Sequence, residues 1–191
     1  ATDNLKAGYQ MGSYMKPYLN GESAIGIIGH VQGVSTAVER EQGIRDALGE
    51  YEKQILDIRF CDSNYDKAYE RTREMLTENP DINVIFGLNE YSAAGAARAV
   101  RDMGLGGEVK MVGFDSSLEE IQFLESGVFD AIVVQRPLNM GYLGVSMAYQ
   151  AARSIEVPKI VESGSELITT ETIYTEENQK LLFPFRETDE E

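Results

Sequence analysis

Polar side chains stand where the apolar segments of this chain end. Arg40 lies early in the helix predicted after the first segment, and Asn89, Asp115 and Gln135 each end a later one. In an open parallel α/β sheet the carboxyl ends of the strands share one edge, and ligands bind outside that edge. A guanidinium, a carboxylate and two carboxamides supply many hydrogen-bond donors and acceptors but no evident nucleophile. This combination favours the binding of a neutral polyol over a chemical reaction.

Each of the four residues also has a simpler interpretation. Asn89 and Asp115 precede predicted helices, so either could act as a helix cap. Arg40 has a glutamate on each side and could form a surface ion pair that contributes little to stability. Gln135 ends an apolar strand directly before an Arg-Pro pair, so capping does not account for it. The shared position of the four residues predicts a binding site better than any one of them does.

Aromatic residues and the single histidine lie beside the same edge. Tyr65, Tyr91 or Phe114 could stack on the C–H face of a sugar, although core packing is the commoner use of such rings. His30 follows the first strand, and a lone histidine is more often a hydrogen-bonded structural residue than a catalyst. Segment 29–33 lacks the glycine spacing of dinucleotide-binding folds and the Gly-Lys-Ser/Thr ending of a phosphate-binding loop. The chain also contains no G-x-S-x-G nucleophile motif, so we expect no enzyme of these classes.

The composition excludes further classes of function. The chain has 191 residues, of which 17 are Lys or Arg and 32 are Asp or Glu, so its formal charge is −15. A surface this acidic repels phosphate backbones and anionic lipids, and we expect no nucleic-acid partner. One histidine and one cysteine cannot form a soft-metal cluster, so we expect neither a metal nor a cofactor. Cys61 has no partner for an internal disulfide and is predicted to be a half-buried, inert thiol.

Predicted strands and helices alternate along the chain, which indicates an α/β fold with a parallel sheet flanked by helices and right-handed crossovers. Continuous apolar runs are typical of strands that are covered on both faces. The predicted strands are 24–29, 54–60, 83–88, 109–114 and 130–134, and a last strand covers 167–173. The predicted helices are 5–19, 36–51, 64–78, 91–103, 117–127 and 138–153, followed by an amphipathic segment at 175–182 and a charged tail at 186–191.

Three of the predicted helices begin with capping signals. Thr36 and Ser117 are each followed three residues later by a glutamate, which is the pattern of a capping box. Asn64 is predicted to cap the helix that ends before an Asn-Pro pair. These signals place the helix starts shortly after the predicted strands.

The order and spacing of several short segments resemble the ribose-type periplasmic binding proteins, over almost the whole chain from residue 1 to about 177. The resemblance implies two α/β lobes that are joined by a three-stranded hinge and close on a sugar. Members are solute-binding subunits of sugar transporters, and the same fold serves as the effector domain of lactose-repressor-type regulators. The segments are Thr2-Asp3-Asn4 with Ala7-Gly8, Gly33-Val34-Ser35 with Glu39-Arg40 and Gly43, Asn79-Pro80-Asp81-Ile82, Asn89-Glu90, Val112-Gly113-Phe114-Asp115 and Val133-Val134-Gln135-Arg136-Pro137.

By this resemblance Arg40, Asn89, Asp115 and Gln135 fall on the sugar-contacting positions of the family's C-terminal lobe. An aromatic contact is expected at 62–65, where Tyr65 is the aromatic residue. The resemblance therefore implies a sugar ligand, no catalysis, an extracytoplasmic location and, in the intact protein, a membrane permease of an ABC transporter as partner. Pentose, hexose and inositol ligands all remain open.

The position of the Asp3-Asn4 motif indicates how the chain divides into domains. In the family this motif lies near the first crossing into the C-terminal lobe, so a preceding half of roughly one small domain is expected outside the sequence. We expect residues 1–135 to form the C-terminal sugar-binding lobe and 136–165 to be a crossover helix that normally belongs to the N-terminal lobe. Residues 166–191 are expected to be a returning strand, a short helix and an acidic tail. Without its partner lobe, the apolar helix 138–153 should make this fragment prone to self-association.

Two other functions are weighed against transport. A sensory domain of the same fold could regulate a repressor or a membrane kinase, and an upstream helix-turn-helix segment or membrane anchor would identify it. An enzyme or phosphoacceptor on a flavodoxin-like sheet would need an acidic cluster at the end of the first strand. The chain has Gly29-His30-Val31 there, which disfavours that interpretation.

Overall fold

The computed structural model describes residues 1–185, and strands alternate with helices through most of that length. The predicted tail at 186–191 lies outside the described residues. The strands are β1 Ile25–Gly29, β2 Ile55–Phe60, β3 Val84–Gly87, β4 Lys110–Phe114, β5 Ala131–Gln135 and β6 Ser165–Thr169. The helices are α1 Asn4–Met15, α2 Ser35–Leu48, α3 Tyr65–Glu78, α4 Glu90–Asp102, α5 Leu118–Glu125, α6 Pro137–Ala152 and α7 Glu176–Leu182.

The strands form one sheet in the order β2-β1-β3-β4-β5-β6. Strands β1 to β5 are parallel, and β6 pairs with β5 in the antiparallel direction. This confirms the predicted α/β class with a parallel sheet flanked by helices. The carboxyl ends of β1 to β5 lie at one side of the sheet, which we call the carboxyl edge, and the predicted polar residues follow these strands.

The sheet is covered on both faces, as its continuous apolar strands predict. Successive residues of β3 show this, because Ile85 packs in the cluster beneath α3, α4, α5 and α7, and Phe86 packs in the cluster beneath α1 and α2. Both side chains are fully buried. The helices on each face thereby hold the strand ends, and the residues that follow them, in fixed positions.

Helices α1 and α2 approach closely because glycines lie at their contact. A Cβ atom on Gly8 would stand 2.0 Å from the carbonyl oxygen of Arg40, and one on Gly43 would stand 2.0 Å from that of Leu5. Both obstacles are backbone atoms, so any larger residue would force the helices apart. The close contact brings the N-terminal turn of α1 beside Arg40.

Two capping predictions are confirmed and one is wrong. The Asn64 side chain accepts a hydrogen bond from the Lys67 N–H at 2.9 Å, and Ser117 forms a complete capping box with Glu120. Thr36 is not a cap, because α2 already begins at Ser35 and no side chain caps it. The Thr36 hydroxyl instead pairs with the imidazole of His30, in the preceding loop.

The predicted boundaries shift where the backbone finds other partners. Helix α1 ends at Met15 rather than at residue 19, because Pro17 lacks an N–H and the chain continues as a short 3-10 turn, Lys16–Tyr18. Strand β6 ends at Thr169 rather than at 173, since the N–H of Thr172 turns back to the Thr169 carbonyl. Cys61 is fully buried rather than half-buried, and this burial raises the pKa of its thiol.

Helix α6 differs from the other helices of more than ten residues, because none of its 16 residues is buried. Three of its large apolar side chains, Leu138, Tyr142 and Val145, are 54%, 72% and 73% exposed. Among residues 1–185, no helix has the length and apolar character needed to cross a bilayer.

Candidate functional site

Arg40 is buried at the carboxyl edge and is held by three contacts. Its Nε donates to the side-chain oxygen of Asn4 at 3.0 Å, and its Nη1 donates to the carbonyl of Leu88 at 2.6 Å. Its guanidinium lies over the ring of Phe114, 3.5 Å from the centroid, in a cation–π arrangement. The side chain is only 6% exposed, so the alternative of a surface ion pair is wrong.

The charge of Arg40 has no carboxylate partner among the described residues. Burial lowers the pKa of Arg40 to about 10, and the nearby Asp115 carboxylate partly opposes that shift. The side chain therefore remains cationic at neutral pH. Its Nη2 group donates to no group of residues 1–185, so it can still bond a ligand.

Asp115 stands directly after β4 in an unusual backbone conformation. Its φ is +85°, a region that strains residues other than glycine and that recurs at functional sites. Its Oδ1 accepts a hydrogen bond from Gln135 Nε2 at 2.5 Å, and its Oδ2 accepts one from the Glu90 N–H at 3.1 Å. Each carboxylate oxygen has a second lone-pair position, so Asp115 can accept further bonds from a ligand.

Gln135 extends this network to the first residues of the chain. Its Oε1 accepts a hydrogen bond from the Thr2 hydroxyl at 2.7 Å, while its Nε2 donates to Asp115. A continuous chain of hydrogen bonds therefore runs from Thr2 through Gln135 and Asp115 to the backbone of Glu90. These bonds fix the orientation of both predicted side chains.

Asn89 has the capping role that its position allowed. Its Oδ1 accepts a hydrogen bond from the Ser92 N–H at 3.0 Å, and the two residues form a capping box for α4. Its side-chain nitrogen, Nδ2, donates to no group of the described residues. The carboxamide oxygen therefore caps α4, and the carboxamide nitrogen can bond a ligand.

Tyr65 joins the edge through Glu90. Its hydroxyl donates to the Glu90 carboxylate, its ring centroid lies 4.6 Å from that of Tyr91, and the guanidinium of Arg98 lies 5.0 Å from it. Burial, followed by the bond to Glu90, raises the pKa of the Tyr65 hydroxyl. The ring is thus already in contact with Tyr91 and Arg98.

His30 is 7% exposed and stays neutral. Its Nε2 pairs with the Thr36 hydroxyl at 2.8 Å, and its Nδ1 is buried without a hydrogen-bond partner among the described residues. Burial and the charge of Arg40 together lower the pKa of His30 to about 4, against the opposing effect of Asp115. The sequence predicted that His30 follows the first strand, as observed. It could not show that Nδ1 lacks a hydrogen-bond partner among the described residues.

Sequence reasoning missed other groups at this edge. Asn4 and Thr2 belong to the segment that carried the family resemblance, yet their bonds to Arg40 and Gln135 span 36 and 133 residues. Glu120 was predicted only as a capping residue, but it is fully buried and its Oε1 has no hydrogen-bond partner within residues 1–185. Burial raises the pKa of the Glu120 carboxyl well above its usual value.

The side chains at the carboxyl edge are suited to hydrogen bonding. Residues 1–185 contain no group of three or more His, Cys, Asp or Glu side chains arranged to hold a metal ion. The four residues predicted from the sequence converge: Gln135 bonds Asp115, Asp115 bonds the residue after Asn89, and Arg40 bonds the residue before Asn89.

Comparisons with known proteins point to one family. The family model described as "periplasmic binding protein domain" matches residues 1–156. The ribose import binding protein of Haemophilus influenzae is 29% identical over 148 residues, covering 78% of this chain and 50% of that protein. The chain therefore spans about half the length of the curated relatives it matches.

Solved structures agree with this similarity. A sugar transporter from Clostridium phytofermentans is 47% identical, with a TM-score of 0.81 over 88% of this chain and 60% of that one. An ABC transporter solute-binding protein from Agrobacterium vitis, solved with bound D-fucose, is 28% identical, with a TM-score of 0.86 over 95% of this chain and 63% of that one.

Proposed function

The chain belongs to the periplasmic binding protein domain family, of the ribose type, and we propose from this that the intact protein captures a monosaccharide or similar polyol. In this proposal it is an extracytoplasmic solute-binding protein that delivers the sugar to the permease of an ABC transporter. The observation that carries the proposal is the hydrogen-bond network that orients Asp115 and Gln135 at the carboxyl edge beside the buried Arg40.

Each proposed contact has a distinct role in holding a neutral sugar. Asp115 accepts bonds from two neighbouring hydroxyls, and Arg40 donates from its free Nη2. Asn89 donates from its side-chain Nδ2, and Gln135 offers the remaining capacity of its carboxamide. Tyr65 is proposed as the aromatic contact. A site of fixed donors and acceptors selects hydroxyl positions and supplies no group for a chemical step, which supports binding without catalysis.

The proposed mechanism is closure of two lobes on the sugar. Residues 1–135 are proposed to form one lobe, and 136–165 a crossover that belongs to the opposite lobe. Of the proposed segment 166–191, residues 166–185 are proposed to return to the first lobe, and 186–191 lie outside the described residues. The absence of buried residues in α6 supports the second assignment, and the pairing of β6 with β5 supports the third. A sugar that contacts both lobes stabilises the closed state, because it binds that state more tightly than the open one.

A regulatory domain of the same fold remains the alternative function. The relatives compared above are an import protein, a sugar transporter and a transporter solute-binding protein, which favours transport. Binding of the sugar-loaded intact protein to a permease, rather than a change in DNA binding or kinase activity, would separate the two.

A thermal-shift screen of the intact protein tests sugar binding. D-ribose, D-allose, D-fucose, D-glucose and myo-inositol are compared, because a ligand that binds only the native state stabilises it by about 2.7 kcal/mol at 100 times its Kd. We expect a saturable rise in Tm with at least one of them, and a smaller rise at the same sugar concentration in an Asp115→Ala variant that folds normally. A panel without any saturable shift would reject the proposed function.

A further inference from the structure

Glu120, in the first turn of α5, is a fully buried carboxyl group that the proposed sugar contacts do not use. Its Oε2 accepts two hydrogen bonds from Ser117, one from the backbone N–H and one from the hydroxyl, each at 2.8 Å. Its Oε1 is buried and bonds no group of the described residues. One carboxyl oxygen is therefore used to hold the turn before α5, and no donor in that part of the chain reaches the other.

The groups that face Glu120 from neighbouring elements are acidic. Asp115 follows β4, Glu90 begins α4 and Tyr65 begins α3. The Glu90 N–H donates to Asp115 at 3.1 Å, and the Tyr65 hydroxyl donates to the Glu90 carboxylate, so these groups form one cluster. Among residues 1–185 no cation pairs with Glu120. An ionised Glu120 would therefore add a third carboxylate to a cluster that already has two.

Three observations favour an uncharged Glu120 at neutral pH. Complete burial removes the hydration that a carboxylate needs, Oε1 has no donor in residues 1–185, and two carboxylates lie nearby. Burial raises the pKa of Glu120 well above its usual value; the bonds from Ser117 oppose this shift, and the charges of Asp115 and Glu90 add to it. An uncharged carboxyl group still accepts the two Ser117 bonds, so the cap of α5 does not require the charge.

The turn at 115–117 connects Glu120 to the sugar site. Asp115 begins this turn with φ +85°, a strained conformation that persists only where the surrounding contacts determine it. Ser117 ends the turn, and both of its bonds to Glu120 fix its backbone and its hydroxyl. Loss of these bonds would release the turn, and a charge on Glu120 would repel the Asp115 carboxylate.

We infer that Glu120 is a positioning residue of the sugar site, which must be uncharged to keep the Asp115 carboxylate in its binding arrangement. This inference rests on the proposed function, because Asp115 is the sugar contact on which Glu120 acts. Glu120 itself touches no sugar, since its carboxyl group is shielded from solvent. Sugar affinity should therefore be constant while Glu120 keeps its proton and should fall as rising pH removes that proton.

Infrared spectroscopy tests whether the proton is present. A protonated carboxyl group has a C=O stretching band that a carboxylate lacks. The difference spectrum between wild type and Glu120→Gln at neutral pH should contain this band. Glu119→Gln is the matched control, because Glu119 pairs with Arg98 and is its neighbour on α5, and this variant should keep the band. A wild-type spectrum with carboxylate bands alone would overturn the inference.

Two substitutions test the positioning role at neutral pH in the intact protein. Glu120→Ala should weaken binding of the best sugar of the panel roughly three- to tenfold by calorimetry, because the turn loses its bonds. Glutamine keeps an uncharged oxygen acceptor for Ser117, so Glu120→Gln should restore affinity to within about twofold of wild type. A loss with glutamine as large as with alanine would show that the charge is required and would overturn the inference.

The pH profile of affinity separates positioning from a purely structural role. Buried glutamates can have pKa values of about 8–9, so affinity is measured from about pH 6 to about pH 10. Wild type and Glu119→Gln should lose affinity roughly three- to tenfold over the range in which the infrared band disappears, and Glu120→Gln should lose less. Wild-type affinity that follows the Glu120→Gln profile while the band disappears would overturn the inference.

Unfolding without sugar separates this inference from the proposed function. The unfolded chain releases the Glu120 proton near the ordinary glutamate pKa of about 4.3, whereas the folded chain keeps it. Wild type should therefore lose stability relative to Glu120→Gln as pH rises above about 4.3. The opposite slope would mean an ionised Glu120 and would overturn the inference. A wild-type protein that shows the band and the expected slope but binds no sugar would refute the proposed function and, with it, the positioning role.

Discussion

Helix α4 is rich in alanine and α6 in larger apolar side chains, yet only α4 is buried. Eight of the 13 residues of α4 are buried, whereas none of the 16 residues of α6 is. Helix α4 packs on β3, β4 and α3, and α6 has no comparable neighbour within residues 1–185. An apolar sequence therefore makes burial of a helix favourable, but a neighbouring element decides whether that burial occurs.

Glycines show the same difference between packed and unpacked helices. A Cβ atom on Gly8 or Gly43 would collide with backbone atoms, whereas one on Gly141 or Gly144 would meet nothing within 4 Å. A glycine in α1 or α2 therefore determines a helix contact, and a glycine in α6 contacts nothing in the described part of the chain.

The largest expected effect is self-association of the 191-residue chain through α6. Burial of the exposed face formed by Leu138, Tyr142, Val145 and Tyr149 offers about 1.5–3 kcal/mol for each side chain, although ordering the partners offsets part of this. Sedimentation or light scattering should detect oligomers, and Tyr142→Glu with Val145→Glu should restore the monomer. Leu56→Glu, a 55% exposed position on β2, is the control and should not. A stable monomer whose α6 amides exchange rapidly would contradict this prediction.

A pair of Gly→Ala variants sharpens the comparison of packing. Gly8→Ala should destabilise the chain by about 3 kcal/mol, because the new Cβ meets the backbone of Arg40. Gly144→Ala should instead stabilise it by up to about 1 kcal/mol, since alanine is the better helix former and has room. Urea denaturation measures both. Equal effects of the two substitutions would mean that α1 and α2 do not make the close contact.

The buried imidazole of His30 should make stability depend on pH. The folded-state pKa is about 4 and the unfolded value about 6.5, so the unfolded chain binds more protons between these values. This contribution is present above pH 6.5 and is lost as pH falls toward 4, by at most about 3 kcal/mol. Denaturation of wild type and His30→Gln across this range should show the smaller decline in the variant. Parallel curves would indicate that the imidazole is not desolvated.

Asp115→Ala in the intact protein should have the smallest effect on the fold of these variants, and it should clearly weaken sugar binding. Charge-assisted hydrogen bonds contribute about 1.5–3 kcal/mol, so affinity for the sugar should fall roughly 10- to 100-fold while Tm without sugar changes little. Glu156→Ala, in the exposed segment after α6, is the control and should leave affinity unchanged. Calorimetry that finds unchanged affinity for Asp115→Ala would remove this residue from the proposed site.

Local signals predicted most of the helix caps, and the wrong prediction at Thr36 has a cause outside its own capping pattern. Asn64, Asn89 and Ser117 cap helices as their positions predict, because a cap bonds N–H groups only three residues away. Thr36 has the same local pattern, but the imidazole of His30 reaches its hydroxyl through the turn of the intervening loop. The capping-box pattern covers only four residues, so it does not include His30.

The sequence by itself determined the order of strands and helices, the parallel sheet and the four polar residues after its strands. Apolar runs, turn residues and the handedness of crossovers are local or general properties, so they can be interpreted along the chain. Only the tertiary structure decided that Arg40 is buried with no carboxylate partner in the described part of the chain, that Gln135 orients Asp115, and that α6 has no buried residue. Each of these depends on which groups, far apart in sequence, are brought together or left without a neighbour when the helices pack on the sheet.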